Sequence, residues 1–144
     1  MFVAHVEASA CIILPDVYIK EVAAAVHEHG GMFALDCIAS GAIWVDMKVI
    51  GEDILISAPQ KGWSASPRGG LVMLSKDARK AIDETKSTSF AIDLKKWLEI
   101  METYEKGSHA YHFTLPTDAI VSFHSAIKET GAFVFDRLKN AQTN

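Results

Sequence analysis

Met32-Phe33-Ala34-Leu35-Asp36 places four consecutive apolar residues, a strand's length, before a carboxylate. A run without alternation is expected of a strand covered on both faces, as in parallel sheets. Just upstream, Ile19, Val22, Ala23 and Val26 recur at i, i+3, i+4 and i+7, which predicts a helix with one apolar face. Pro15 and Asp16 suit its start, because proline lacks only a donor that the first turn cannot use and the acid favours the helix dipole. Gly30-Gly31 suits its left-handed end. Further upstream, residues 1–6 read as a short buried strand that delivers Glu7-Ala8-Ser9 to its end. Downstream, Ile43-Trp44-Val45 reads as a short extended piece. Asp53-Ile54-Leu55-Ile56-Ser57 reads as a strand leading into Ala58-Pro59-Gln60-Lys61, and Gly69-Gly70 turns into a further strand, Leu71-Val72-Met73-Leu74.

Helices follow. Ser75 is placed to cap one running from Lys76 to Glu84, and Asp93 another whose stripe is Leu94, Trp97, Leu98 and Met101. After a loop from Gly107 to Thr114, Pro116-Thr117-Asp118 opens a helical region with a break expected near Gly131. The order of elements predicts an α/β protein with a mostly parallel sheet and helices packed on it, whose chemistry lies at the carboxyl ends of the strands. Three such ends carry polar groups: Glu7 with Ser9, Asp36 with Ser40, and Gln60 with Lys61.

Composition agrees with a folded domain. The chain has 144 residues, 49% hydrophobic and 22% charged, which excludes disordered, collagen-like and disulfide-scaffold classes. Fourteen basic residues against eighteen acidic give a net charge of −4, which argues against a general nucleic-acid grip. The most apolar stretch, residues 32–50, is interrupted by Asp36, Asp46 and Lys48, so no membrane span is expected. Cys11 and Cys37 lack metal-ligand spacing and are expected to be buried free thiols of a reducing, cytoplasmic setting. The six histidines form no convincing ligand pair, so no metal site is expected. His27 and His29, at a helix end, are expected to be solvated. Trp63 and Trp97 are expected to be core or interface aromatics, and the charges from Lys76 to Lys86 a solvated helix face.

Two residues are informative together. Lys61 follows an apolar strand and lies among small and aromatic neighbours, where desolvation can lower a lysine pKa and allow a Schiff base. On its own, a solvated loop lysine is the plainer reading. Asp36, after four apolar residues, must be paired, hydrogen-bonded or neutral, and a structural acid is an even alternative. The two stand 25 residues apart on the ends of successive strands. A pyridoxal 5′-phosphate (PLP) enzyme needs this pair: a lysine to hold the cofactor and an acid to keep the pyridine nitrogen protonated.

Five segments carry a resemblance in order along nearly the whole chain: His5-Val6-Glu7-Ala8-Ser9-Ala10, Leu35-Asp36-Cys37-Ile38-Ala39-Ser40, Ser57-Ala58-Pro59-Gln60-Lys61-Gly62, Asp93-Leu94-Lys95-Lys96-Trp97 and Tyr111-His112-Phe113-Thr114-Leu115-Pro116. Together they resemble the class V aminotransferases, fold type I PLP enzymes, and within them the alanine–glyoxylate / serine–pyruvate group. Gln60 before Lys61 sets the chain apart from the related cysteine desulfurases, which resemble one another in having histidine there. The resemblance implies a catalytic Lys61 that forms the Schiff base and shuttles the proton between substrate α-carbon and cofactor. It implies Asp36 on the pyridine nitrogen, Ile38 beneath the ring and Gln60 beside the phosphate or ring oxygen. Tyr111 and Thr114 match residues that reach across a homodimer to the partner's cofactor phosphate. The implied substrates are a small amino acid, alanine or serine, and a 2-oxo acid, glyoxylate or pyruvate.

The chain also departs from the family. Ala8 stands where a Ser or Thr hydroxyl usually meets the cofactor's ring oxygen, with Ser9 as the next available hydroxyl, and Cys11 stands at a family glycine. The family's Gly-rich phosphate turn, stacking aromatic and carboxylate-gripping arginine find no counterpart, since Arg68, Arg79 and Arg137 occupy other positions. Residues 1–144 are therefore expected to be the second half of the PLP-binding large domain, with the N-terminal part and the C-terminal small domain outside the chain. The alternative is a catalytically silent α/β fragment that pairs at most through its Tyr111 surface.

Overall fold

A computed structural model describes residues 1–40, 43–67, 69–133 and 135–143; Arg68 lies outside them. The chain opens with β1 (Phe2–Ala4), then a hairpin of β2 (Val6–Glu7) and β3 (Ile12–Ile13). Helix α1 (Asp16–Glu28) leads to β4 (Ala34–Asp36), a four-residue helix α2 (Met47–Ile50) and β5 (Ile54–Ser57). Strand β6 (Leu71–Leu74) precedes α3 (Lys76–Asp83), α4 (Leu94–Glu105), α5 (Thr117–Phe133) and α6 (Phe135–Thr143). The main sheet runs β1-β4-β5-β6; β1, β4 and β5 are mutually parallel and β6 is antiparallel to β5. The expected mostly parallel α/β architecture holds. Register sets Ala4, Asp36 and Ile56 side by side, so the carboxyl ends of the three parallel strands lie level.

The core forms on one face of that sheet. Leu35 and Leu55 are register partners, and Ile19 and Ala23 of α1 pack with them, Phe33, Cys37, Val45 and Ile50. The other face of β4 and β5, carrying Ala34, Asp36, Ile54 and Ile56, is only half-buried. This corrects the reading of the apolar run as a strand covered on both faces. A strand with one buried face keeps its end open on the other, which is where Asp36 stands.

Two further expectations change. Residues 1–6 do not form one buried strand: β1 is a sheet edge with Phe2 exposed, and the chain then leaves the sheet at His5. The hairpin that follows turns at Ala8–Cys11, with Cys11 at φ +55°, so this thiol is exposed rather than buried. Ile43 and Val45 are buried without strand pairing, and Asp46 then caps α2 by accepting from Lys48 N at 2.9 Å and Val49 N at 3.3 Å. Gly131 lies near the end of α5, which stops at Phe133 close to the expected break, and the Phe135 ring of α6 comes within 3.8 Å of the position a Cβ there would take. Helix α6 is further held by Phe135 stacked on Trp44 and by Lys139 on Asp16.

Glu52, between α2 and β5, is buried with neither carboxyl oxygen hydrogen-bonded among the described residues. Burial, and then the nearby Asp46, Asp16 and Asp53, push its pKa above the ordinary value, its own backbone N–H opposing only in part. An acid raised on folding withholds stability as pH rises, because the unfolded chain ionises first. Glu52→Gln is therefore expected to leave urea unfolding at pH 4 nearly unchanged and to raise the midpoint at pH 7.5. Midpoints of the two proteins that stay parallel across that range would overturn it.

Candidate active site

Asp36 is the last residue of β4. Its Oδ1 accepts the Ile38 backbone N–H at 2.9 Å, which turns the chain off the strand and fixes the carboxyl in place. Among the described residues Oδ2 accepts nothing. The Asp36 carbonyl accepts the His5 N–H at 2.9 Å, and Cys37 N–H donates to the Ile56 carbonyl at 2.7 Å, so the carboxylate stands on a backbone held from both neighbouring strands. Behind it, the Cys37 thiol is pushed up to about 12 by burial, and burial likewise lowers the pKa of His5, whose Nδ1 lies 3.8 Å from Cys37 Sγ. Both groups are thus neutral near pH 7 and leave Asp36 as the acid at this strand end.

Lys61 follows β5 through Ala58 and Pro59, both buried, into a turn closed by Ser64 N–H on the Lys61 carbonyl and Ala65 N–H on the Pro59 carbonyl, each at 3.0 Å. Gln60 and Lys61 are exposed on this turn, and Lys61 Nζ has no hydrogen bond or ion pair among the described residues. Since Asp36 pairs with Ile56, Lys61 leaves the sheet five residues beyond Asp36's own register partner on the adjacent strand. The structure thus brings Asp36, Ile38, Gln60 and Lys61 to one end of the sheet.

Glu7 lies beyond β1, in the hairpin. Its Oε1 accepts both Ser9 Oγ–H at 2.6 Å and Ser9 N–H at 3.0 Å, and those bonds hold its carboxyl below the usual range. The Ser9 hydroxyl, the one nearest to Ala8 in sequence, thus donates to Glu7. Tyr111 and Thr114 lie in the loop before α5, Tyr111 Oη 3.4 Å from Thr114 Oγ1, with no described contact to Asp36 or Lys61. His112 anchors that loop by bonding the Phe90 carbonyl at 2.8 Å and packing its ring on Phe90 and Trp97, while Tyr111 stays 78% exposed.

No protein-family model matches the chain. It is 30% identical over 129 residues to 2-aminoethylphosphonate–pyruvate transaminase 2 of Paraburkholderia xenovorans (strain LB400), covering 89% of this chain and 33% of that protein. It is 32% identical over 124 residues to 2-aminoethylphosphonate–pyruvate transaminase of Pseudomonas fluorescens (strain Pf0-1), covering 85% and 31%. Among solved structures it superposes on the alanine–glyoxylate aminotransferase of Nostoc sp. with a TM-score of 0.80 at 19% identity, covering 96% of this chain and 36% of that one. The pyridoxamine–pyruvate aminotransferase of Mesorhizobium loti gives 0.81 at 18%, with 96% and 34% covered. The chain is homologous to these transaminases and shares the fold of the class V aminotransferases. It spans about a third of the length of the curated relatives it matches.

Within this chain the strand-end site is an open ledge rather than a closed pocket. A cavity of about 370 Å³ lies beside it, lined by Cys37, Trp44, Leu55, Ser57, Trp63 and Met73 among others, but Asp36 and Lys61 do not line it. No cluster of three or more His, Cys, Asp or Glu side chains suited to a metal occurs among the described residues, and no helix there is long and apolar enough to cross a membrane. Trp63, expected as a core or interface aromatic, is half-buried and also donates Nε1–H to Ser57 Oγ at 3.1 Å; the signal for that bond in sequence is a serine ending an apolar strand six residues before an indole that needs an acceptor. His27 is not simply solvated either; its Nε2 lies 2.8 Å from Asp53 Oδ2.

Proposed function

We propose that this chain is the lysine-bearing part of the cofactor domain of a PLP-dependent transaminase, whose N-terminal part and small domain belong to the rest of a longer protein. The observation that carries the reading is the pairing of β4 and β5: an acid with one free oxygen and a lysine with a free amine leave the same end of adjacent parallel strands. These residues fit the cofactor. Asp36 Oδ2 is available to the pyridine N–H, and Ile38, half-buried beside it, offers an apolar surface to the ring. Gln60 is available to the phosphate or ring oxygen. Tyr111 and Thr114 offer exposed hydroxyls to the phosphate held by the other subunit of a homodimer. Ala8 supplies no bond, which weakens the fit by one hydrogen bond of about 1 kcal/mol.

PLP held here would supply the electron sink for an α-carbanion. Lys61 would hold the cofactor, and its amine would move the substrate α-proton as general base and then acid. Asp36 would keep the ring nitrogen protonated through a charge-assisted bond. Pyruvate is the acceptor named in the relatives near 30% identity, and 2-aminoethylphosphonate their donor; those two are the substrates the reading favours. The second reading, alanine or serine with glyoxylate, draws on the five motifs and on the fold shared with the Nostoc enzyme.

Treating the purified chain with PLP, reducing with borohydride and mapping the labelled peptide tests the cofactor reading. The label is expected on Lys61 and is expected to vanish in Lys61→Ala. An unlabelled wild-type chain sinks the reading and leaves the silent fragment. Pyruvate-dependent consumption of 2-aminoethylphosphonate, set against alanine with glyoxylate in the longer protein, decides the donor.

A further inference from the structure

We propose that Trp63 is a positioning residue for Lys61, acting through a hydrogen-bond tether from its indole to Ser57 and on to the residue after Asp36. The indole Nε1–H donates to Ser57 Oγ at 3.1 Å, and Ser57 Oγ–H points to the Cys37 carbonyl at 3.5 Å. Ser57 ends β5 and is buried, and Cys37 directly follows Asp36. The tether therefore joins three points: the turn that carries Lys61, the strand it leaves, and the strand end that carries Asp36.

The turn needs such a tie. Among the described residues the backbone from Ala58 to Ala65 is held by two hydrogen bonds, Ser64 N–H to Lys61 O and Ala65 N–H to Pro59 O. Ser64 sits at φ +54°, a conformation that a non-glycine residue adopts only when its surroundings impose it. Closing the loop from Ser57 to Trp63 with a side-chain bond removes backbone freedom from the segment in which Lys61 lies. On its other side the indole is gripped edge-on by Phe123 of α5, centroids 6.0 Å apart, and by Phe135 of α6 at 6.4 Å. Packing alone would be satisfied by any ring, so the N–H is what distinguishes positioning from core filling. The meaning for catalysis rests on Lys61 being the cofactor lysine; the tether itself does not.

The test compares the full chain with Trp63→Phe, Ser57→Ala, the double variant and Trp63→Ala. Two things are measured: amide hydrogen exchange at Ser64 and Ala65, and borohydride-fixed label on Lys61 at limiting PLP. Trp63→Phe keeps the ring contacts, so its melting temperature is expected to stay close to wild type while that of Trp63→Ala falls. Exchange at both amides is expected to speed up about five-fold in Trp63→Phe and in Ser57→Ala, the effect of one net hydrogen bond. The double variant is expected to match either single one, and the Lys61 label to fall several-fold in all of them. Wild-type exchange in Trp63→Phe, or additive effects in the double variant, overturns the tether. Faster exchange with an unchanged label overturns positioning. A wild-type chain that takes no label removes the PLP reading, and the exchange arm then decides the tether by itself.

Discussion

Asp53→Ala is expected to cost about 2–4 kcal/mol of folding stability in urea unfolding at pH 7, a large share of the 5–15 kcal/mol typical of a domain. Asp53 stands immediately before β5, at the far end from Lys61, and is buried. Its Oδ2 accepts the Phe33 backbone N–H at 2.9 Å and faces His27 Nε2 at 2.8 Å, and its Oδ1 accepts Ser75 Oγ–H at 3.2 Å. Ser75 in turn caps α3 through Ala78 N–H. One carboxylate thus ties the end of α1, the entry to β4 and the cap of α3. Alanine leaves the buried Phe33 N–H without a partner, and that desolvation is the main loss. His27→Ala removes a pair whose imidazole is 42% exposed and is expected to cost under about 1 kcal/mol.

The same residue sets an acid limit. Burial raises its pKa, but the Phe33 N–H, His27 and Ser75 outweigh burial and hold it below its ordinary 3.8. A carboxyl depressed on folding contributes stability that is complete above the unfolded value and is lost as pH falls through the folded one. Stability is therefore expected to decline with pH below 3.8 in the wild type and less steeply in Asp53→Asn. Equal slopes for the two proteins would show that Asp53 is not the group titrating.

What the sequence disclosed follows from the range of the interactions involved. Strands β4, β5 and β6 and helices α1, α3 and α4 announce themselves because runs, 3.6-residue stripes and the caps at Ser75 and Asp93 are local. The hairpin of β2 and β3 was hidden, because its turn depends on Cys11 adopting a left-handed conformation that residue type does not advertise. Helix α2 is too short to show a period; only its Asp46 cap and Gly51 at φ +89° mark it. The antiparallel sense of β6 depends on where its chain returns, not on its four apolar residues. At the site, Asp36 and Lys61 were legible because each is a charged group beside an apolar strand. The ties that hold them, from His5 to Asp36 and from Trp63 to Ser57, join residues on different elements or across a turn. Hydrophobic patterning carries no trace of either.

Asp36→Asn is expected to raise the PLP concentration needed to label Lys61 by about 10- to 100-fold, the loss of one hydrogen bond to a charged group worth about 1.5–3 kcal/mol. Asparagine has the size of aspartate and keeps an oxygen to accept the Ile38 N–H, so the turn off β4 and the urea midpoint are expected to stay as they are. Only the charge offered at the strand end changes; on the proposed reading, a bound pyridine nitrogen would then lose the acid group that keeps it protonated. Asp36→Ala removes the Ile38 bond as well, and is expected to add about 1 kcal/mol of destabilisation to a similar loss of label. The two variants separate a structural acid from a cofactor-binding one. A structural Asp36 predicts that alanine hurts stability while asparagine is silent in both measurements. A cofactor-binding Asp36 predicts that asparagine is silent in unfolding and costly in labelling. Because Oδ1 serves the backbone and Oδ2 is left open, the geometry of β4 favours the second pattern.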